Sequence, residues 1–158
     1  QEPRYYNHLN TGRPSPEVEL YAPYRTNYTD IKMGALYPFG YGLTYTTFKY
    51  GALKVTGSGR KFNATVEVTN TGKSAAYEVV QLYVHDVFAS VSRPVKELKG
   101  FESIYLKPGE TKTVTRPICE DSLTYYDADG NIVFEPGDFE IMVGPNSRDL
   151  QKQTITAR

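Results

Sequence analysis

Hydrophobic and polar side chains alternate with a period of two along much of the chain after residue 60. The alternation is clearest in KFNATVEVTN, residues 61–70, and in DFEIMVG, residues 138–144. Strict alternation over a short run is typical of a β-strand with one buried face. We therefore predict two strands whose inward residues are Phe62, Ala64, Val66, Val68, Phe139, Ile141 and Val143.

The segment AYEVVQLYVHDV, residues 76–87, has the same period and predicts another half-buried strand. Successive side chains of a strand point to opposite faces of the sheet. One face is therefore predicted to carry Val80, Leu82 and Val84 toward the core. The opposite face is predicted to carry Gln81, Tyr83 and His85.

Three further segments fit strands, namely VKELKGFESIYL, TKTVTRPI and QKQTITA. We predict a β-bulge at Gly100 in the first of these. In the second, Val114 and Ile118 lie at strand spacing and are predicted to face inward. Turn sequences separate the strands, including KPGE at 107–110 and DADGN at 127–131.

About seven strands joined by short turns, without a helical period, predict an antiparallel sandwich of two sheets. The short connections argue against a parallel sheet, whose strands need long crossovers. The chain has one cysteine and no tryptophan, so it lacks the cysteine pair and the tryptophan of immunoglobulin domains. We predict an all-β, fibronectin type III-like β-sandwich over residues 46–158.

Residues 1–45 have a different character. No window holds a helical period, and only RYYNHL, residues 4–9, could form a strand. A stretch this long without regular elements is unusual inside a compact domain. We predict an extended linker that lies on a neighbouring surface and is held there by its tyrosines. Its prolines are Pro3, Pro14, Pro16, Pro23 and Pro38.

Charge and composition narrow the range of partners. Eighteen basic residues balance eighteen acidic ones, so no net field would attract nucleic acid or an anionic membrane. No apolar run approaches the roughly 20 residues of a membrane helix. The chain begins at Gln1 without a signal peptide or an initiating methionine, and we expect a fragment or a processed product.

Few residues could carry chemistry. Asp127 and Asp129 begin a calcium-loop pattern, but position twelve is Asp138 instead of a glutamate and no flanking helices are predicted. A hairpin turn is the favoured interpretation. His8 and His85 are too few for a tetrahedral metal site. We expect the first to be a surface residue and the second to be a hydrogen-bonded strand residue.

Cys119 is the only cysteine, so the chain has no internal disulfide. It lacks the sequence context of a redox or metal motif, and we expect a small buried or half-buried side chain at a strand end. A cysteine–histidine nucleophile pair is the disfavoured alternative. No catalytic, metal or cofactor site is predicted.

The stretch YPFGYGLTYTTFKY, residues 37–50, is rich in aromatic residues and almost uncharged. Such rings could form an open platform that stacks on sugars, or a packed seam between two parts of a protein. Gly40 and Gly42 interrupt the rings and allow close approach of the backbone. This favours the seam, since buried aromatic residues are also the commoner case.

Four segments together resemble a known family. YYNHLNTGRP, LYPFGYGLTYTTFKY, SRPVKELKGFESIYLKPGETKTV and EPGDFEIMVGPNSRDL occur here in that order. The first resembles the end of the α/β sandwich domain and the extended linker of glycoside hydrolase family 3 enzymes, which the resemblance places at residues 1–45. The other three resemble the C-terminal fibronectin type III-like domain of the same enzymes, at residues 46–158. The nearest subgroup is that of bacterial periplasmic β-glucosidases. Glu2 and Arg4 depart from the pattern, because the family usually has apolar residues there.

The resemblance implies a role for the whole protein. Such enzymes hydrolyse terminal β-D-glucosides or xylosides with retention, which requires two carboxylates about 5 Å apart. In the family, the nucleophile lies in a barrel domain and the acid/base usually lies in an α/β sandwich domain, both upstream of Gln1. The resemblance therefore assigns no catalytic residue to this chain, which should be inactive alone. It also implies a periplasmic or secreted location.

The expected role is structural. The chain would dock on the barrel and α/β sandwich domains of its own polypeptide, with Pro38, Phe39, Tyr41 and Phe48 as anchors. Arg93 would pair with Asp86 or with an acidic group on a neighbouring domain, the first being favoured. The alternatives are a carbohydrate-binding module and a dimerisation module.

Overall fold

The first antiparallel sheet is built around β3, Lys61–Asn70. β6, Thr111–Ile118, pairs along one edge of β3. β1, Phe48–Tyr50, and β2, Lys54–Ser58, share the other edge. This computed structural model describes residues 5–10 and 34–158. Most of the predicted linker, with Glu2 and Arg4, lies outside the described residues.

The second antiparallel sheet has the strand order β10-β9-β4-β5. Its strands are β4, Ala76–Asp86, β5, Glu97–Leu106, β9, Gly137–Gly144, and β10, Gln151–Ala157. The two sheets face one another across one hydrophobic core. The predicted all-β sandwich is therefore confirmed.

A short connection completes the fold between the two sheets. It holds a single 3-10 turn, Glu120–Ser122, and a ribbon of β7, Tyr125–Tyr126, and β8, Ile132–Val133. The DADGN turn joins the two ribbon strands, as predicted. Among the described residues, no helix is long and apolar enough to cross a membrane.

The core follows the period of two that the sequence shows. All seven inward residues predicted on β3 and β9 are buried, and Val114 and Ile118 of β6 join them. Full burial of a large aliphatic or aromatic side chain contributes roughly 1.5–3 kcal/mol. Half-buried residues close the rim of the core: Phe48, Tyr50, Leu53, Val55 and Phe134.

The predicted bulge is confirmed on β5. Leu82 of β4 pairs with Gly100, but the next residue, Tyr83, pairs with Leu98. Lys99 is therefore the extra residue. A side chain at position 100 would approach the Arg116 guanidinium, which reaches this strand from β6.

Two predictions of local structure were wrong. Cys119 follows β6 directly, but its side chain is exposed instead of buried or half-buried. The described part of RYYNHL forms a turn, and only Leu9 makes an isolated bridge, to Pro94. The single bridge does not continue into a ladder, so the described residues of this segment form no regular strand.

Candidate functional site

The two described pieces of the predicted linker, residues 5–10 and 34–45, form what we call the strap. It lies on the outer face of the second sheet. The rings of Tyr6 and Phe39 stack with centroids 4.3 Å apart, and Tyr6 meets the edge of Tyr83 at 5.8 Å. Tyr83 is fully buried although it points away from the core. Burial raises the pKa of its hydroxyl above the ordinary value.

Gln81 fastens the strap to the sheet. Its side-chain amide donates hydrogen bonds to the carbonyls of Gly40, at 3.1 Å, and Pro145, at 2.6 Å. Its Oε1 accepts a bond of 2.6 Å from the Tyr83 hydroxyl. The Ser147 backbone N–H also donates to the Phe39 carbonyl at 2.9 Å. Gln81 and Tyr83 therefore face outward as predicted, but the strap covers both.

The first piece of the strap pairs with the loop that follows β4. The Asn10 N–H donates to the Arg93 carbonyl at 2.8 Å, and the Val95 N–H donates to the His8 carbonyl at 2.9 Å. The Ser92 hydroxyl donates to the Asn10 carbonyl at 2.7 Å. These bonds hold the first piece of the strap, whereas Gln81 and Ser147 hold the second.

Arg93 does not form the ion pair that was favoured from the sequence. Its guanidinium donates to Glu97, four residues along, at 2.7 Å and lies over the ring of Tyr125 at 4.9 Å. The charge of Arg93 acts on the Asp86 carboxyl only as an electrostatic interaction at a distance. Burial raises the pKa of the Asp86 carboxyl, and the charge of Arg93 opposes that rise. The path of the loop between Arg93 and β5 brings the guanidinium to Glu97.

The other predicted anchors occupy different positions. Phe48 lies on β1 and packs against the core of the sandwich itself. Pro38 is half-buried. Phe39 remains 48% exposed and Tyr41 44% exposed, and the Tyr41 ring contacts that of Tyr37 at 5.4 Å. Of the predicted anchors, Phe39 and Tyr41 are therefore the ones that offer open apolar surface.

Sequence reasoning missed a second apolar surface on the same sheet. We call it the β4–β5 patch, and it consists of Tyr77, Val79, Phe101 and Tyr105, all exposed. These residues occupy outward positions of two neighbouring strands, and Tyr77 pairs directly with Tyr105. The sequence did hold a signal for this surface. Tyr77, Val79 and Gln81 lie at every second position of one strand, so all three share its outer face.

The candidate chemical residues have structural roles. Asp127 Oδ1 accepts backbone hydrogen bonds from Asp129 and Asn131, which confirms the hairpin turn. His85 Nδ1 lies 3.1 Å from Glu140 Oε2, as expected for a hydrogen-bonded strand residue. His8 is exposed, as predicted. In residues 5–10 and 34–158 no three metal-ligating side chains cluster.

Comparison with known proteins identifies related sequences. The fibronectin type III-like domain family matches residues 78–147. A periplasmic β-glucosidase of Salmonella typhimurium is 49% identical over 157 residues, covering 96% of this chain and 20% of that protein. A β-xylosidase of Formosa agariphila is 50% identical over 129 residues, covering 78% of this chain and 18% of that protein.

Solved structures of related enzymes contain the same fold. The chain superposes on the crystal structure of a β-glucosidase from Listeria innocua in complex with glucose with a TM-score of 0.88 and 38% identity. The match covers 98% of this chain and 22% of that protein. The chain thus spans about a fifth of the length of these relatives.

Proposed function

The chain belongs to the fibronectin type III-like domains of family 3 β-glucosidases and β-xylosidases, and we propose that it is the non-catalytic C-terminal domain of such an enzyme. It docks on the catalytic barrel and α/β sandwich domains of the same polypeptide and stabilises them. The whole enzyme hydrolyses terminal β-D-glucosides or xylosides with retention. It resides in the periplasm or is secreted, in line with the name of the Salmonella relative.

The state of the carboxylates supports a non-catalytic role. Retaining glycosidases need a nucleophile and an acid/base about 5 Å apart beside an open sugar site. Here Glu97 is paired with Arg93, and Glu140 is held by Lys152 at 2.6 Å as well as by His85. Both carboxylates are thereby engaged in holding the fold.

The observation that carries the docking proposal is the exposed aromatic surface of the strap. Tyr37, Phe39 and Tyr41 expose between 44% and 69% of their surface, although hydrogen bonds hold the strap backbone in place. Large exposed apolar surface on a rigid support marks an interaction site. Interfaces between domains of one chain typically bury about 600–1,500 Å².

A reconstitution experiment tests this function. The truncated enzyme, lacking the region that corresponds to this chain, is mixed with the purified chain. We expect its melting temperature to rise, because docking buries apolar surface on both parts. A chain carrying Tyr37→Ser and Tyr41→Ser should stabilise it less, while Tyr126→Ser, an exposed tyrosine on β7, should match the native chain.

Three results would contradict the proposal. The first is an unchanged melting temperature on mixing. The second is turnover of a β-glucoside by the purified chain alone. The third is binding of the chain, but not of the truncated enzyme, to an insoluble glucan. That result would favour the carbohydrate-binding alternative.

A further inference from the structure

The β4–β5 patch is an unusual surface for an isolated sandwich. Tyr77 is 67% exposed, Phe101 61%, Tyr105 42% and Val79 41%. Val80 of β4 and Ile104 and Leu106 of β5 have the opposite parity and are buried in the core, so the four residues share the outer face. The rings of Tyr77 and Tyr105 lie in contact, with centroids 5.1 Å apart.

The patch is aromatic and uncharged. Aromatic side chains can each bury about 150–250 Å², and soluble monomers rarely expose a contiguous apolar area above a few hundred Å². The residues paired across the two strands are Tyr77 with Tyr105, Val79 with Ser103, and Gln81 with Phe101. None of these side chains carries a formal charge, so burial of this surface would desolvate no ion.

The patch adjoins the strap directly. Gln81, which pairs with Phe101 in the strand register, is the same residue that binds the Gly40 carbonyl. The covered part of the outer face therefore ends where the open apolar part begins. Strap and patch together form one continuous surface on one side of the second sheet.

The position of the strap indicates what covers this surface. The matching region of the relatives is their C-terminal part, about a fifth of their length, so their remaining residues precede it. The strap is the N-terminal part of this chain, and it lies over the outer face of the second sheet. A preceding domain is thus brought to that face, beside the patch.

We propose that the β4–β5 patch is the second half of the docking surface and is covered by an apolar surface of the domain that precedes this chain in the whole enzyme. This inference rests on the proposed docking function. The geometry of the rings disfavours a sugar as the occupant. The planes of Tyr77 and Tyr105 are inclined by 57° and therefore present no flat shelf to a pyranose ring.

Hydroxyl-radical footprinting read by mass spectrometry tests the inference. The isolated chain and the intact enzyme are labelled under the same conditions. In the intact enzyme, labelling of Tyr77, Phe101 and Tyr105 should fall severalfold, because an apolar partner excludes water from their rings. Tyr126, also 67% exposed in the chain, is the internal control and should keep its rate.

Labelling of the strap tyrosines distinguishes a failure of this inference from a failure of the proposed function. Protection of Tyr37 and Tyr41 without protection of the patch would overturn the inference and leave docking intact. Protection of neither surface would overturn both. An equal fall at Tyr126 would show a general loss of labelling and would also count against the patch.

Two other occupants give distinct results with the isolated chain. Protection of the patch that grows with chain concentration would mean that a second copy covers it. Protection by an added β-glucan oligosaccharide would mean that it binds sugar. Either outcome overturns the proposal.

Substitution gives an independent test. Tyr77→Ser with Tyr105→Ser should lower the melting temperature of the intact enzyme but leave that of the isolated chain nearly unchanged, because both side chains are exposed there. Tyr126→Ser should alter neither. An intact enzyme unaffected by the double substitution would refute the proposal.

Discussion

Asn70 shows how a single buried polar residue can join several loops of a sandwich. Its amide donates to the carbonyls of Ser74, at 2.8 Å, and Leu106, at 3.0 Å. Its Oδ1 accepts bonds from the Thr46 hydroxyl, at 2.6 Å, and the Gly72 N–H, at 3.0 Å. The side chain is fully buried, yet every hydrogen-bonding group has a partner.

Replacing Asn70 with alanine should therefore be costly. Asn70→Ala leaves the buried carbonyl of Leu106 and the partly buried carbonyl of Ser74 without these donors, and each unsatisfied buried group costs about 1–3 kcal/mol. We expect the free energy of unfolding in urea to fall by about 3 kcal/mol. Asn63→Ala, an exposed position on the same strand, is the control. Equal losses for both variants would refute this role.

Glu78 is the opposite case, a carboxyl whose burial is unfavourable. It lies on the inward side of β4, where it accepts a bond of 2.8 Å from the Tyr50 hydroxyl. Burial raises the pKa of the Glu78 carboxyl, and the bond from Tyr50 only partly opposes this. Burial and the nearby carboxylate also raise the pKa of Tyr50. The charged form of Glu78 is thus disfavoured in the folded state.

The stabilising effect of Glu78→Gln should therefore depend on pH. A raised folded-state pKa means that the contribution of Glu78 to stability is full below its unfolded pKa and is lost as pH rises through the folded value. Glutamine keeps an acceptor for Tyr50 without the charge. Chemical denaturation should show a gain at pH 7 that disappears near pH 4.

The exposed Glu67 of β3 provides the comparison for that experiment. Glu67→Gln should have little effect at either pH, because its side chain remains in water. A Glu78→Gln variant that loses stability at pH 7 would show that the charged carboxylate is favourable where it lies.

At the scale of elements, two glutamines close one edge of the sandwich. Gln151 Oε1 accepts from the Leu53 N–H at 2.9 Å, and its amide donates to the Gly51 carbonyl at 2.6 Å. Gln153 Oε1 accepts from the Val55 N–H at 2.9 Å. Side chains of β10 thereby supply to the β1–β2 region the hydrogen bonds that a further strand would make.

Removing one of these side chains should loosen that edge. We expect Gln153→Ala to lower the free energy of unfolding by about 1 kcal/mol, the usual net value of a hydrogen bond. The specific readout is hydrogen exchange, which should become faster at the Val55 amide. Thr154→Ala, an exposed neighbour on β10, should leave that amide protected. Unchanged exchange at Val55 would show that the glutamine bond is not needed.

The position of the strap on the second sheet should depend on Gly40. Its φ is 78°, in the left-handed region, and a side chain there would overlap Gln81. Gly40→Ala should release the strap, so exchange of the Ser147 amide, which binds the Phe39 carbonyl, should accelerate. Gly42→Ala meets no neighbouring atom and should leave the amide protected. Equal behaviour of the two variants would mean that the strap is held elsewhere.

On the scale of the whole molecule, charge and exposed rings act together. The formal net charge is zero at pH 7, so repulsion between molecules is weakest near neutrality. The strap rings and the β4–β5 patch are then free to associate. We expect the solubility of the isolated chain to pass through a minimum near pH 7, as measured by the protein left in solution. A solubility that rises steadily through neutrality would contradict this.

Which face of each strand lies in the core was predictable from the sequence alone. Phe62, Val66 and Ile141 lie at alternating positions, and the geometry of a strand converts that spacing directly into one buried face. The bulge at Gly100 and the turn at Asp127 were also predictable, because each depends on a few adjacent residues.

What covers the outer faces of the sheets depends on the folded chain. Tyr83 is buried by Tyr6, a residue far away in the sequence, and no local pattern encodes that contact. Arg93 binds Glu97 instead of Asp86 because the path of its loop sets the distances. The sandwich could thus be predicted from the short-range periodicity of its strands. The position of the strap arises from contacts between distant segments, which exist only once the chain has folded.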